Sequence, residues 1–297
     1  MAKMPIGDQV HLNGQIVPLS EAYISPLDRG FLFAHAAYEV TAVYNGKFVD
    51  LDGHLLRLRR TLDGIALPNP HSDADWKRIH QELIDANGIN EGLVYLQVTG
   101  GAYEARDYTG PDTFEPTIFM YADTKPLIGQ AAQRGIAAIF MHDTRWARRD
   151  MKTVQLLSQA LAYRAAKQAR ADTAFLVQDG KVTEAASANA WIVDEMGRLI
   201  TRNLSADILP GITRSGVLRL LDKTGLEMEE RAFTPDEALN AAEVFTTSAG
   251  AMIAPVIMLE GQPIGMGKPG PVTRKVQKAY YEAIGADVDS VAPWVLA

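Results

Sequence analysis

The sequence predicts a mixed α/β protein of two domains, the second richer in strands than the first. Three observations predict it. Alternating apolar runs closed by Asn-Gly or Asp-Gly recur in both halves, a pattern of short antiparallel strands joined by tight turns. Other stretches carry apolar residues at helical spacing. A polar stretch with a helix-breaking proline, Ala122-Asp123-Thr124-Lys125-Pro126, divides them. We therefore expect an N-terminal domain over 1–121, a linker at 122–126 and a C-terminal domain over 127–297. With 297 residues, 47% of them hydrophobic, the chain can bury two medium-sized cores.

In chain order, His11 to Val17 folds about Asn13-Gly14, and Tyr38 to Val49 about Asn45-Gly46, as hairpins. Helices are expected from Leu51 to Leu67, with apolar residues at 55, 56, 58, 62, 65 and 67, and from Trp76 to Asn87. Gly92 to Thr99 and Pro116 to Tyr121 read as core strands. The loop of 100–115 between them is long enough to carry function. The second half restarts with a strand at Gly135 to Phe140, an alanine-rich helix over 153–170, strands at Ala174 to Val177 and Ala190 to Val193 about an Asp179-Gly180 turn, a helix ending near Gly225 and a short helix from Thr234 to Leu239.

Composition excludes several classes. A net charge of -7 and a pI near 5.4 argue against a nucleic-acid or anionic-membrane partner, whose binding needs clustered Lys and Arg. Without cysteine there is no disulfide, thiolate metal site or cysteine nucleophile. The opening Met1 to Asp8 is broken by Pro, Gly and Asp before an apolar core forms, and no later segment reaches membrane-span length, so a cytoplasmic setting is expected. Gly265 to Gly270 has dinucleotide-type glycine spacing but lacks a preceding buried strand and contains Pro269, which makes it a turn. No zinc pair stands among the six histidines, and no metal is expected.

Four segments carry chemistry jointly. Lys152 follows Arg145-Trp146-Ala147-Arg148-Arg149-Asp150-Met151; alone, a lysine is usually a solvated charge. Glu184 is a lone carboxylate among small residues, and a buried carboxylate needs a cationic partner. Leu209-Pro210-Gly211-Ile212-Thr213-Arg214 opens a helix whose unpaired N–H groups favour an anion, although an ordinary cap reads the same. Phe245 to Ala251 is a run of hydroxyl and small residues that could wrap a phosphate or simply turn.

In order and spacing these segments resemble the fold-type IV (class IV) pyridoxal-phosphate aminotransferases, from Asp28-Arg29-Gly30 to Thr273-Arg274-Lys275. The resemblance is closest to D-amino-acid aminotransferases, through Tyr38-Glu39-Val40, Val43-Tyr44-Asn45-Gly46, Arg145-Trp146 and Gly211-Ile212-Thr213-Arg214. It implies a small N-terminal α/β domain and a larger strand-rich pseudo-barrel, pyridoxal 5'-phosphate in the cleft between them, and a homodimer.

The same resemblance implies roles. Lys152 would hold the cofactor as a Schiff base and move the substrate's α-proton. Glu184 would keep the pyridine nitrogen protonated. Arg57 would bind phosphate, joined by donors at Gly211, Ile212, Thr213, Ser248 and Ala249. Leu209 would pack on the ring, Arg145 would lie near the 3-hydroxyl, and Tyr38 and Val40 would face the substrate, a small amine or amino acid with a 2-oxo acid as its acceptor.

The chain also departs from that pattern. The D-amino-acid enzymes carry an arginine and a histidine two residues apart in the 100–115 loop to hold the substrate carboxylate; ungapped alignment places Ala105 and Asp107 there, with Arg106 one residue out of step. Ala42 stands where those enzymes have lysine, and Thr247 to Met252 is similar to the (R)-selective amine transaminases. Transfer from a D-amino acid such as D-alanine to a 2-oxo acid leads. An (R)-amine donor is the alternative, followed by branched-chain aminotransferase and aminodeoxychorismate lyase activity.

Overall fold

The computed structural model describes residues 6–296; Met1–Pro5, part of the opening read above as no signal segment, lies outside the described residues. The chain forms two compact units. The first runs to Leu127 and takes back Met151–Gln155, and the second holds Ile128–Asp150 and the residues from Leu156 onward.

The first unit is one sheet covered by two helices. Its elements are β1 (Gln9–Leu12), β2 (Gln15–Pro18), α1 (Arg29–Phe33), β3 (Ala36–Tyr44), β4 (Lys47–Phe48), α2 (Leu51–Gly64), α3 (Asp73–Asn87), β5 (Gly92–Thr99) and β6 (Ile118–Thr124). The strand order is β2-β1-β6-β5-β3-β4. Both expected hairpins form about residues with positive φ, Asn13 and Gly14 and then Asn45 and Gly46, the twist a two-residue turn requires. Ser72 caps α3 by accepting from the Asp75 N–H at 3.2 Å, which starts the helix three residues before Trp76.

The period of two divides this sheet's faces. Ala37 and Val43 of β3, Val94, Leu96 and Val98 of β5, and Ile118, Met120 and Ala122 of β6 join Leu55, Leu58 and Leu62 of α2 and Trp76, Ile79 and Leu83 of α3 in one core. The alternate residues, Tyr38, Val40, Tyr95, Gln97, Phe119 and Tyr121, are half-buried on the other face.

Residues after Lys152 do not enter a helix at once, as the alanine content suggested. β4 pairs only with Val43 and Tyr44, so the start of β3 has an open edge. Lys152 to Val154 occupies it. The Tyr38 N–H donates to the Lys152 carbonyl at 3.0 Å, Ala37 bridges Thr153, and the Val154 N–H donates to the Ala36 carbonyl at 3.2 Å. The helix therefore begins only at Leu157.

The second unit comprises α4 (Gln130–Arg134), β7 (Ile136–His142), α5 (Leu157–Gln168), β8 (Thr173–Gln178), β9 (Lys181–Ala185), β10 (Asn189–Val193), β11 (Leu199–Thr201), α6 (Ile212–Thr224), β12 (Met228–Glu230), α7 (Pro235–Leu239), β13 (Glu243–Ser248), β14 (Met252–Leu259), β15 (Gln262–Pro263), α8 (Pro271–Ala283) and α9 (Val288–Val291). The sheet runs β12-β11-β10-β13-β14-β7-β8-β9, with β15 on β14. Ala185 and Ala188 bridge each other, so the edge strand β9 turns directly into β10 and the sheet curls into a half-barrel. Its interior is filled by Phe175, Ile192, Phe233, Val244 and Val256. Gly265 and Gly267 sit in a turn with positive φ, as expected for that glycine-rich run. Among the described residues no helix is long and apolar enough to cross a membrane, and no three His, Asp or Glu side chains are grouped to hold a metal ion.

One buried base sets an acid limit on the first unit. His80 donates through Nδ1 to the Trp76 carbonyl at 2.7 Å, and burial pushes its pKa from 6.5 down to about 4. The folded state thus favours the neutral ring, so its contribution is full above pH 6.5 and is lost as pH falls toward 4. His80→Gln, which keeps a donor for Trp76, is expected to flatten the stability loss between those limits by up to roughly 1.4 kcal/mol per pH unit, measured by denaturant unfolding at stepped pH.

Candidate active site

In the first unit a buried acid holds two bases of α2. Glu39 lies on the helix-facing side of β3, fully buried, and accepts from Arg57 Nε at 2.8 Å and Nη2 at 2.7 Å and from His54 Nδ1 at 2.7 Å. Burial alone would raise its pKa, but the charge and hydrogen bonds of Arg57, with His54, hold the carboxyl well below the usual range. Burial keeps His54 neutral by lowering its pKa against the pull of Glu39. The two-point grip fixes the plane of the Arg57 guanidinium.

Lys152 sits on the opposite side of β3's start. Its carbonyl is bound by Tyr38, its N–H donates to Thr61 Oγ1 of α2 at 3.2 Å, and its Nζ lies 4.0 Å from the Tyr38 ring centroid. Tyr38 stacks on Tyr95 at 5.7 Å, and Tyr95 on Tyr121 at 4.9 Å. Val40 shares this face through its pair with Tyr95. The lysine thus stands beside an aromatic terrace that the alternation of β5 and β6 could have disclosed.

The loop over 100–115 is held from below by Asp28-Arg29-Gly30. Asp28 accepts from the Gly30 N–H at 2.7 Å and from Thr99 Oγ1 at 2.9 Å, while Arg29 donates to the carbonyls of Asp107 at 2.6 Å and Tyr108 at 3.0 Å. Arg106 is exposed; its guanidinium lies 5.2 Å from the ring centroids of both Phe33 and Tyr108.

The second unit gathers its candidates around Asn189, at the head of β10. Asn189 Nδ2 donates to Glu184 Oε2 at 2.9 Å and to the Leu209 carbonyl at 2.8 Å. Across the strand it pairs with Thr247, next to Ser248 at the end of β13, where Ala249 begins the turn to β14. Gly211, the N-cap of α6, approaches so closely that a Cβ there would overlap Asn189 Oδ1. No side chain caps α6, which starts at Ile212 and Thr213. Glu184 also accepts from the Leu209 N–H at 3.2 Å and from Arg145 Nη1.

Arg145, expected near a cofactor hydroxyl, donates to two carboxylates. Asp143, fully buried, accepts from Arg145 Nε at 3.0 Å and Nη2 at 2.7 Å and from Thr183 Oγ1 at 2.7 Å. Burial pushes the Glu184 carboxyl up, opposed by the charge of Arg145 and the Leu209 N–H; for Asp143 the bonds from Arg145 and Thr183 outweigh burial and lower it. The second unit thus holds one carboxylate fixed and carries an uncapped helix N-terminus.

Residues 36–258, a span that includes Glu39, Arg57, Lys152, Glu184 and Asn189, match the amino-transferase class IV family. The chain belongs to the class IV aminotransferases. The D-alanine aminotransferase of Bacillus licheniformis is 39% identical over 277 residues, covering 93% of this chain and 97% of that protein. The D-alanine aminotransferase of Staphylococcus aureus strain MSSA476 is 33% identical over 277 residues, covering 93% and 98%. Among solved structures, the branched-chain amino acid aminotransferase of Escherichia coli superposes with a TM-score of 0.86 at 22% identity over 93% of this chain and 94% of that one. The PLP-form of the Thermobaculum terrenum enzyme gives 0.80 at 24% over 94% of each. At these identities the structures carry the fold, the fold-type IV aminotransferase fold.

In this class IV aminotransferase the residues that sequence reasoning passed over are partners of partners: Glu39, His54, Thr61, Asp143 and Asn189. Asn189 is the one polar residue of the all-buried strand Asn189–Val193 and stands at its head. Gly211 adopts an ordinary extended backbone, so a larger residue there acts through collision alone. Gly211→Ala should displace Asn189 and lower stability by about 1–3 kcal/mol, read as a lower denaturant midpoint, whereas Gly225→Ala at the other end of α6, where nothing stands near the added carbon, should not shift Asn189 in a crystal structure.

Proposed function

We propose that this enzyme uses pyridoxal 5'-phosphate to move an amino group from a D-amino acid, such as D-alanine, to a 2-oxo acid. The observation that carries the reading is full-length similarity to D-alanine aminotransferases, at 33–39% identity over 93% of the chain. The branched-chain enzymes share the fold at lower identity. The resemblance further supports a homodimer and a cytoplasmic setting.

The residues present fit the cofactor. The uncapped start of α6 suits a phosphate dianion, and Glu184, ringed by donors from Arg145, Asn189 and Leu209, suits a protonated ring nitrogen. Bound pyridoxal phosphate supplies an electron sink for the pair left when the substrate's α-proton departs. Lys152 anchors it and carries that proton on Nζ. Arg57, Gly211, Ile212, Thr213, Ser248 and Ala249 hold the phosphate, with Glu39 orienting Arg57. Leu209 would pack on the ring, Glu184 would hold the proton on the ring nitrogen, and Arg145, bonded to Glu184, would lie near the 3-hydroxyl. Tyr38 and Val40 face the donor.

A second reading, an (R)-primary amine donor, is favoured by one feature. Ala105 and Asp107 lack the paired carboxylate binders, and Arg106 is engaged by two aromatic rings. A donor panel of D-alanine, L-leucine and (R)-1-phenylethylamine with 2-oxoglutarate, run on native protein and Arg106→Ala, separates the two. D-alanine is expected to be the best donor, and loss of Arg106 to weaken it more than the amine. Equal effects remove Arg106 from the donor site. Glu184→Gln should retain the cofactor and lose at least about a hundredfold in kcat.

A further inference from the structure

Three residues of α2 at helical spacing serve one purpose. Arg57, Thr61 and Gly64 lie at i, i+4 and i+7, on one stripe of the helix. Arg57 is gripped by Glu39, the neighbour of Tyr38 on β3. Thr61, wholly buried, accepts from the N–H of Lys152. Gly64 leaves room for Met151, whose Sδ would lie 2.6 Å from a Cβ at that position. The backbone of Lys152 is thus bonded on both sides, its carbonyl to β3 and its N–H to α2.

Those bonds replace what a regular element would provide. Met151 to Gln155 belongs to neither a strand nor a helix, and among the described residues the Thr61 hydroxyl is the one partner of the lysine's N–H. Valine in place of Thr61 keeps the shape of the side chain but leaves that N–H without its acceptor in a partly buried setting, which costs part of the desolvation of the group. The peptide would then turn to find another partner, and the lysine side chain would turn with it.

We propose that Thr61 is a positioning residue for Lys152, tying the lysine's amide to the same helix that carries Arg57 and so setting the spacing between the covalent and the phosphate attachment points. The proposal rests on the reading that Lys152 holds the cofactor. Thr61 touches no reacting atom and acts through the backbone of Lys152.

The test uses the full-length protein freed of cofactor, then mixed with pyridoxal 5'-phosphate and quenched with borohydride at intervals, with the label located by peptide mass. Native protein is expected to be labelled at Lys152. Thr61→Val should label about tenfold more slowly, the scale of one lost hydrogen bond, and shift the pH at which the bound cofactor's visible absorbance titrates. Thr61→Ser should restore both. Inorganic phosphate binding should be alike in native protein and both variants.

No Lys152 label in native protein overturns the reading of Lys152 and this proposal with it. A native label that Thr61→Val acquires at the same rate, with the same absorbance titration, overturns this proposal alone. So does a serine variant as slow as the valine variant, or slowing matched by weaker phosphate binding.

Discussion

Keeping Glu184 as a fixed acceptor away from water is the constraint around which the second unit is arranged. A carboxylate without compensation in such a place is unfavourable by several kcal/mol, and burial does push this one toward its neutral form. The fold answers with donors from three places. Arg145 comes from the segment after β7, Asn189 from the head of β10 and the Leu209 N–H from the approach to α6. Each donor is then held by something else. Asp143 and Thr183 fix Arg145, and the Leu209 carbonyl fixes Asn189. The direct turn from β9 to β10 that curls the sheet places Glu184 and Asn189 within reach of each other.

The first unit solves the converse problem, a guanidinium that must keep one orientation. Glu39 faces α2 because β3 alternates, and the same alternation turns Tyr38 and Val40 to the other side. A single strand therefore aligns Arg57 on one face and the aromatic terrace beside Lys152 on the other. The open edge left by the short β4 receives the lysine's own segment. The 14-residue helix α2 runs from that arginine to the hydroxyl that holds the lysine, so orientation and spacing derive from the same two elements.

Much of this was legible in the sequence, for local reasons. Asn-Gly and Asp-Gly dipeptides specify hairpins through backbone sterics alone, and they formed at Asn13, Asn45 and Asp179. Gly92 to Thr99, a hydrophobic run read as a core strand, became β5 with those limits. The helix expected from 153 began later because an alanine-rich run carries no information about a competing strand edge far away in sequence. Residues whose work is to hold other residues were also hidden: Glu39 sits 18 positions from Arg57, and Asp143 lies 40 from Thr183. Only the packed units bring them together. Arg106 was legible as a candidate, yet its stacking on Phe33 and Tyr108 depends on a loop pinned by Arg29.

On the proposed reading, Glu184 is the carboxylate that keeps the ring nitrogen of the cofactor protonated. The most direct measurement is the nitrogen chemical shift of pyridoxal phosphate labelled with nitrogen-15 at the ring, bound to the native protein at neutral pH. The account predicts the shift of a protonated pyridinium. A shift characteristic of the unprotonated ring, with the cofactor attached at Lys152, would contradict it.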